Sequence, residues 1–137
     1  MSRHRLPRLA ALLLLLLALA ACGGESVPTA APGGTAGVQI TMTTDPAPPR
    51  AGNVVLTFAI TDAAGNPVTD ADGGQVHITG DMPSMGHGGL EGDATHMGNG
   101  KWEARGRLSM GGEWRIRAVV NRGGALLASQ EFRIQAR

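Results

Sequence analysis

The sequence predicts an all-β domain, an immunoglobulin-like β-sandwich of six to seven antiparallel strands, preceded by a signal peptide and a disordered tether. After residue 37, apolar residues recur with a period of two, as in strands with one buried face. Short segments rich in Gly, Pro, Asn and Asp separate these runs and are typical of turns. No helical period follows the first 21 residues. Short strands at this spacing favour a sandwich, with a closed barrel as the lesser alternative.

The N-terminal residues have the features of a secretory signal. Arg3, Arg5 and Arg8 form a positive region, and residues 9–21 are almost purely Leu and Ala. This run is short for a bilayer, which needs about 20 apolar residues. We expect residues 1–21 to be removed on export.

Cys22 is the only cysteine in the chain, and it directly follows the signal. Leu19, Ala20 and Ala21 before it resemble the lipobox of bacterial lipoproteins; the alternative is an ordinary signal peptide with an incidental cysteine. We expect Cys22 to be lipidated and to hold the protein outside the cytoplasm, on the cell membrane or the outer membrane. A lipidated Cys22 leaves no thiol for a disulfide or a metal.

The mature chain divides into a tether and one domain. Residues 22–37 are mostly Gly, Ala, Pro and Thr with a single charge, a composition that favours a flexible segment. Residues 38–137 suffice for one domain with one core. Three of the 12 lysines and arginines lie in the signal, against 11 acidic residues in the chain. This near-neutral balance argues against a nucleic-acid partner.

Six alternating runs predict the strands of the domain. The inward-facing positions are Val38, Ile40 and Met42; Val54, Leu56, Phe58 and Ile60; Val76 and Ile78; Trp102, Ala104, Gly106 and Leu108; Trp114, Ile116, Ala118 and Val120; and Leu126, Ala128, Phe132 and Ile134. Met42 and Met110 fall on buried positions and are expected to fill the core. His77 is on the opposite face and is expected to be solvated.

Residues 80–89 break the alternation and are expected to form a loop. Exposed thioethers beside imidazoles are unusual on the surface of a small domain. Thioether sulfur favours Cu(I), and imidazole suits both oxidation states of copper. The sequence therefore predicts a mononuclear copper site drawn from Met82, Met85, His87, His96 and Met97. The alternative is that these methionines fill gaps and cover an open end of the sandwich.

Three sequence elements in order resemble the YtkA-like/FixH-like domain family over residues 38–134. They are Met-Pro-Ser-Met-Gly-His at 82–87, Gly-Lys-Trp at 100–102 and Met-Gly-Gly-Glu-Trp at 110–114. The resemblance implies an immunoglobulin-like sandwich on a lipoprotein or membrane-anchored protein, linked to copper handling or to cytochrome oxidase maturation. It places Met82, Met85 and His87 at motif positions. The second glycine of the last element, Gly112, departs from the family pattern, which usually has one glycine there.

Two other binding roles are open. In the first, the sandwich is a non-metal interaction module of the cell envelope, and the methionines form an adaptable apolar contact. In the second, zinc is bound by His77, His87, His96 and either Glu91 or Asp93, which would leave the methionines unexplained. The expected partners are the membrane, through the lipid, and a copper-donating or copper-receiving envelope protein.

The residues do not indicate an enzyme or an organic cofactor. Ser84 lies near His87, but a nucleophile needs a base that is held by a third group, together with an oxyanion site. The segment 70–73 resembles part of a calcium loop, yet it lacks the later acidic positions of that motif. We expect a binding protein without catalytic residues.

Overall fold

The computed structural model describes residues 37–137, which form eight β-strands. The predicted signal peptide 1–21, Cys22 and the tether up to residue 36 lie outside the described residues. The strands are β1 (Gln39–Asp45), β2 (Gly52–Thr61), β3 (Gly74–Met82), β4 (His87–Asp93), β5 (Thr95–Gly98), β6 (Lys101–Leu108), β7 (Gly112–Arg122) and β8 (Ala125–Ala136). The described part of the chain contains no helix that could cross a membrane.

The strands form two antiparallel sheets of four. The first sheet has the order β1-β2-β6-β5, and the second has the order β4-β3-β7-β8. Lettered A, B, C, C′, D, E, F and G along the chain, these are the ABED and C′CFG sheets of an immunoglobulin-like sandwich. The predicted sandwich is confirmed, and the two separate sheets exclude the closed barrel.

The core lies between the two sheets and is built from alternate residues of each strand. Phe58 of the first sheet meets Phe132 of the second, with ring centroids 6.0 Å apart. Met42 is buried, as predicted, but Leu126 is 64% exposed. The pairing of β7 with β8 shifts register between Val120 and Asn121, so the alternation of β8 does not extend to Leu126.

Strands β4 and β5 are additional to the six runs, and the predicted loop over residues 80–89 is wrong. Strand β3 continues to Met82, a turn occupies residues 83–86, and β4 pairs with β3 from His87 onward. The amides of Met85 and Gly86 both donate to the carbonyl of Met82 at 3.1 Å, which closes the turn. Strand β4 has low intrinsic β-propensity, so its pairing with β3 and the burial of Leu90 hold it in the sheet.

The strand register defines two ends of the sandwich. At the entry end, β1 begins at Gln39 opposite Thr61, near the connection 62–73 and the turns at 99–100 and 123–124. At the far end lie the connection 46–51, the β3–β4 turn at 83–86 and the β6–β7 turn at 109–111. The first strand therefore separates the point where the chain enters the domain from the far end.

Candidate metal centre at the far end of the sandwich

Three of the six methionines of the chain lie at the far end. Met82 and Met85 border the β3–β4 turn, and Met110 lies in the β6–β7 turn. The terminal methyl of Met82 is 2.7 Å from where a Cβ would stand at Gly112, so the two turns are neighbours. Met82 is 4% exposed, whereas Met85 and Met110 are 51% and 42% exposed. Two accessible thioethers thus share one end of the sandwich with a third that is buried beneath the surface.

His87 begins β4 and is paired directly with Met82 in the register of β3 and β4. Partners in an antiparallel pair have Cα atoms about 4.5–5.5 Å apart. The three residues of the Met-Pro-Ser-Met-Gly-His motif that were predicted as ligands, Met82, Met85 and His87, are therefore brought to the same end of the molecule.

His96 and Met97 lie in β5 of the first sheet, near the entry end. Along β3, the partner of Asp93 is His77, five residues before Met82, which is about 16 Å at 3.3 Å per residue. His96 follows Asp93 and is farther still from the β3–β4 turn. The structure does not bring His96 and Met97 together with the other three predicted ligands, so a centre at the far end excludes them.

The surroundings of His96 give it a structural role. Its Nδ1 lies 2.7 Å from Oδ1 of Asp70, and its ring centroid is 4.8 Å from that of Trp102. Trp102 in turn donates from Nε1 to the carbonyl of Val68 at 3.0 Å. The Nε2 atom of His96 is buried and has no hydrogen-bond partner among the described residues. These contacts fasten the 62–73 connection to the first sheet.

The described side chains of the zinc alternative, those of His77, His96, Glu91 and Asp93, are not gathered around a common point. His77 is held between two carboxylates: Nδ1 is 2.8 Å from Oδ1 of Asp93, and Nε2 is 3.8 Å from Oε1 of Glu91. Because the carboxylates face different ring nitrogens, an ion on one nitrogen could not be shared by both. His96 lies on the other sheet. Among the side chains that the structure describes, which do not include that of His87, no group of three or more His, Cys, Asp or Glu is placed to hold a metal.

An ion pair borders the far end on the outer face of the second sheet. Arg115 of β7 donates from Nε to Oδ1 of Asp81 at 3.0 Å and from Nη2 to Oδ2 at 2.5 Å. These hydrogen bonds from Arg115 hold the pKa of Asp81 below its ordinary value, and the same contact raises the pKa of Arg115. Asp81 follows the bulge after Gly80, so the pair fixes the last residues of β3 beside Met82.

The prediction that Met110 fills the core is wrong. The alternation of β6 ends at Leu108, and residues 109–111 form a turn that carries the Met110 side chain to the surface. The carbonyl of Met110 accepts a hydrogen bond from Nε1 of Trp114 at 3.1 Å, which anchors the turn. The Gly-Gly pair at 111–112 was the sequence signal for this turn, because paired glycines end a strand.

Comparisons with known proteins place the chain in a family. No curated protein sequence matches it. Among solved structures, it is similar to the soluble domain of PmoD from Methylocystis sp. ATCC 49242 (Rockwell), at 12% identity and a TM-score of 0.47, over 73% of this chain and 90% of that chain. A family model described as YtkA-like matches residues 34–119. Since this match covers more than half of the sequence, the protein belongs to the YtkA-like family.

Proposed function

We propose that this protein is a lipid-anchored, extracytoplasmic copper-handling protein that binds Cu(I) at the far end of its sandwich. The main support for the proposal is that Met85 and Met110 are exposed on adjacent turns, above the buried Met82. Burying a methionine side chain is worth about 1.5–3 kcal/mol, so two exposed methionines at one end forgo a substantial gain. Cu(I) binding accounts for their position, because thioethers are selective ligands for this ion.

The proposed ligands divide into accessible and supporting donors. Met85 and Met110 would supply thioethers from the two turns, and His87 would supply an imidazole nitrogen from the start of β4. Met82 lies beneath them and would offer a third sulfur from the edge of the core. Copper here is cargo, so the residues bind and release an ion and catalyse no reaction.

The proposed anchor complements this arrangement. A lipid on Cys22 would connect through the tether to the entry end, where β1 begins at Gln39. The seven residues of β1 span about 20 Å. The proposed copper site would therefore stand at the opposite end from the tether, available to an envelope protein that donates or receives copper.

The test is a Cu(I) titration against a competing chelator, using the chain with Cys22→Ser so that neither lipid nor thiol interferes. We expect the Met85→Leu/Met110→Leu pair to weaken binding by at least about ten-fold. Met97→Leu is the matched control, because Met97 is 58% exposed but lies near the entry end, and we expect no change.

Equal loss in the control and the paired variant would place copper away from the far end. The absence of binding tighter than micromolar would reject copper altogether. The exposed methionines would then serve as an apolar contact for a protein partner. In that case the protein from copper-supplemented cells would carry no copper, and partner binding would survive chelation.

A further inference from the structure

Strand β4 is rich in glycine at the edge of the second sheet. It is the terminal strand in the order β4-β3-β7-β8, so one side of it has no strand partner in that sheet among residues 37–137. Three of its seven residues are Gly88, Gly89 and Gly92, and all three are exposed. Glycine weakens a strand relative to alanine, because it has more conformational freedom to lose and no side chain to pack. Three such residues in one short strand therefore need an explanation.

The fold itself does not require these glycines. None of the three has a φ angle in the left-handed region. A Cβ at Gly92 would meet nothing within 4 Å among the described residues, and at Gly88 or Gly89 the nearest atom would be 3.9 Å away. At Gly80, by contrast, an added Cβ would stand 2.9 Å from Cδ1 of Ile116. Internal packing therefore explains why residue 80 is glycine, but it does not explain the three glycines of β4.

Glycine within a strand is found where another backbone approaches closely. The surface beside β4 is open to such an approach, because β5 pairs with β6 only as far as Glu103. Between β4 and the continuation of β6 lies a cavity of about 90 Å³, lined in part by Gly92 and Gly106. The outer edge of β4 thus offers backbone groups without bulky side chains around them.

The charges on this edge are unbalanced. Glu91 and Asp93 have side chains that are 77% and 86% exposed, and their ion-pair contacts among the described residues are both to His77. Strand β4 itself contains no lysine or arginine. The nearby arginines are already paired within the molecule: Arg115 with Asp81, Arg117 with Glu131 at 3.4 Å, and Arg105, which lines the same cavity, with Glu103 at 2.9 Å. The edge therefore favours a cationic partner.

We propose that β4 is a docking edge for an extended, cationic segment of a partner protein. The segment would add to the second sheet as a strand, with backbone hydrogen bonds to β4 and with lysines or arginines facing Glu91 and Asp93. A second copy of β4 is the poorer occupant, because it would bring two more carboxylates and no cation. This inference rests on the glycines and the charges and is independent of copper.

The test uses a short peptide of alternating lysine and valine, added to the isotope-labelled chain with Cys22→Ser. We expect its addition to shift the backbone amide signals of β4 and to slow their hydrogen exchange. Two control peptides separate the contributions. One carries N-methyl groups on the amides that would face β4, and the other has glutamate in place of lysine; neither should bind.

Variants test the glycines directly. We expect Gly92→Val to leave the Tm unchanged or to raise it, while peptide affinity falls at least about ten-fold through steric blocking of the approach. Gln135→Val, on the opposite edge strand β8, is the matched control and should retain the affinity. The Glu91→Lys/Asp93→Lys pair should reverse the preference towards the glutamate peptide.

Three results would overturn the proposal. A lower Tm for Gly92→Val would mean that the fold needs the glycine. Equal binding of the N-methylated peptide would mean that charge alone attracts it and that no strand is added. Dimers in sedimentation that protect the β4 amides without peptide would assign the edge to a second copy of the chain.

Discussion

Leu90 of β4 packs against Gly106 of β6, so that an added Cβ at Gly106 would stand 2.9 Å from Cγ of Leu90. Leu90 also faces Gly80, where its own Cβ is 3.1 Å from the position of an added Cβ. The side chain is 6% exposed and lies between glycines of the two sheets. Leu90 therefore holds the edge strand β4 to both layers of the sandwich.

Gly106→Ala should destabilise the domain. The added methyl group would overlap Leu90, whose position is restricted on its other side by Gly80, and overpacking of this kind costs about 1–3 kcal/mol. Gly92→Ala is the matched control, because an added Cβ there is unobstructed. Urea unfolding followed by tryptophan fluorescence measures both variants. Equal midpoints for the two would contradict the packing described for Leu90.

Trp102→Phe should also weaken the fold. The indole Nε1 donates to the carbonyl of Val68, which is fully buried, and phenylalanine cannot replace this donor. A buried carbonyl without a partner costs about 1–3 kcal/mol. We expect the amides of the 62–73 connection to exchange faster in this variant, since the hydrogen bond fastens that segment to β6. Unchanged exchange there would show that the bond does not restrain the connection.

The Asp81–Arg115 pair should make stability depend on pH. Because the pKa of Asp81 is lowered from 3.8 in the folded protein, its ionised form favours folding above that value, and the contribution is lost as pH falls through the folded-state pKa. Asp81→Asn should lower the Tm by a few degrees at neutral pH and should have little effect well below pH 3.8. Thermal unfolding across pH measures this. In an Arg115→Met background, the loss of Tm caused by Asp81→Asn should be smaller at neutral pH. An unchanged loss of Tm would contradict the pairing.

Lipidation of Cys22 can be tested in growing cells. Labelled palmitate should be incorporated into the wild-type protein and not into Cys22→Ser. We expect the wild-type protein to partition with membranes and the variant to appear in the soluble extracytoplasmic fraction. A soluble, unlabelled wild-type protein would show that the signal is cut without lipid attachment.

Most of the sandwich could be predicted from the period of two, because six strands bury one apolar face each. Strand β4 could not be predicted in this way, because Gly88, Gly89 and Gly92 leave no alternating pattern. Its place in the sheet depends on pairing with β3, which a pattern within β4 does not show. Leu126 was misplaced for a related reason, as a register shift interrupts the alternation that places Phe132 in the core.

The candidate site was predictable in part. The spacing of Met82, Met85 and His87 within one hairpin is local, so the sequence could place them together. Whether His96 joins them depends on the crossing of the chain from the second sheet to the first at Ala94, which no local pattern shows. Met110 is near the other methionines only because the β6–β7 turn is folded beside the β3–β4 turn.

The most direct test of the copper proposal is the NMR spectrum of the methionine methyl groups, carbon-13 labelled, during addition of Cu(I) to the chain with Cys22→Ser. We expect the signals of Met85 and Met110 to shift at one equivalent of copper, followed by the signal of Met82. The signals of Met42 in the core and of Met97 near the entry end should not shift. If Met97 shifts alone, or if Met85 and Met110 do not respond, the far end of the sandwich is not the copper site.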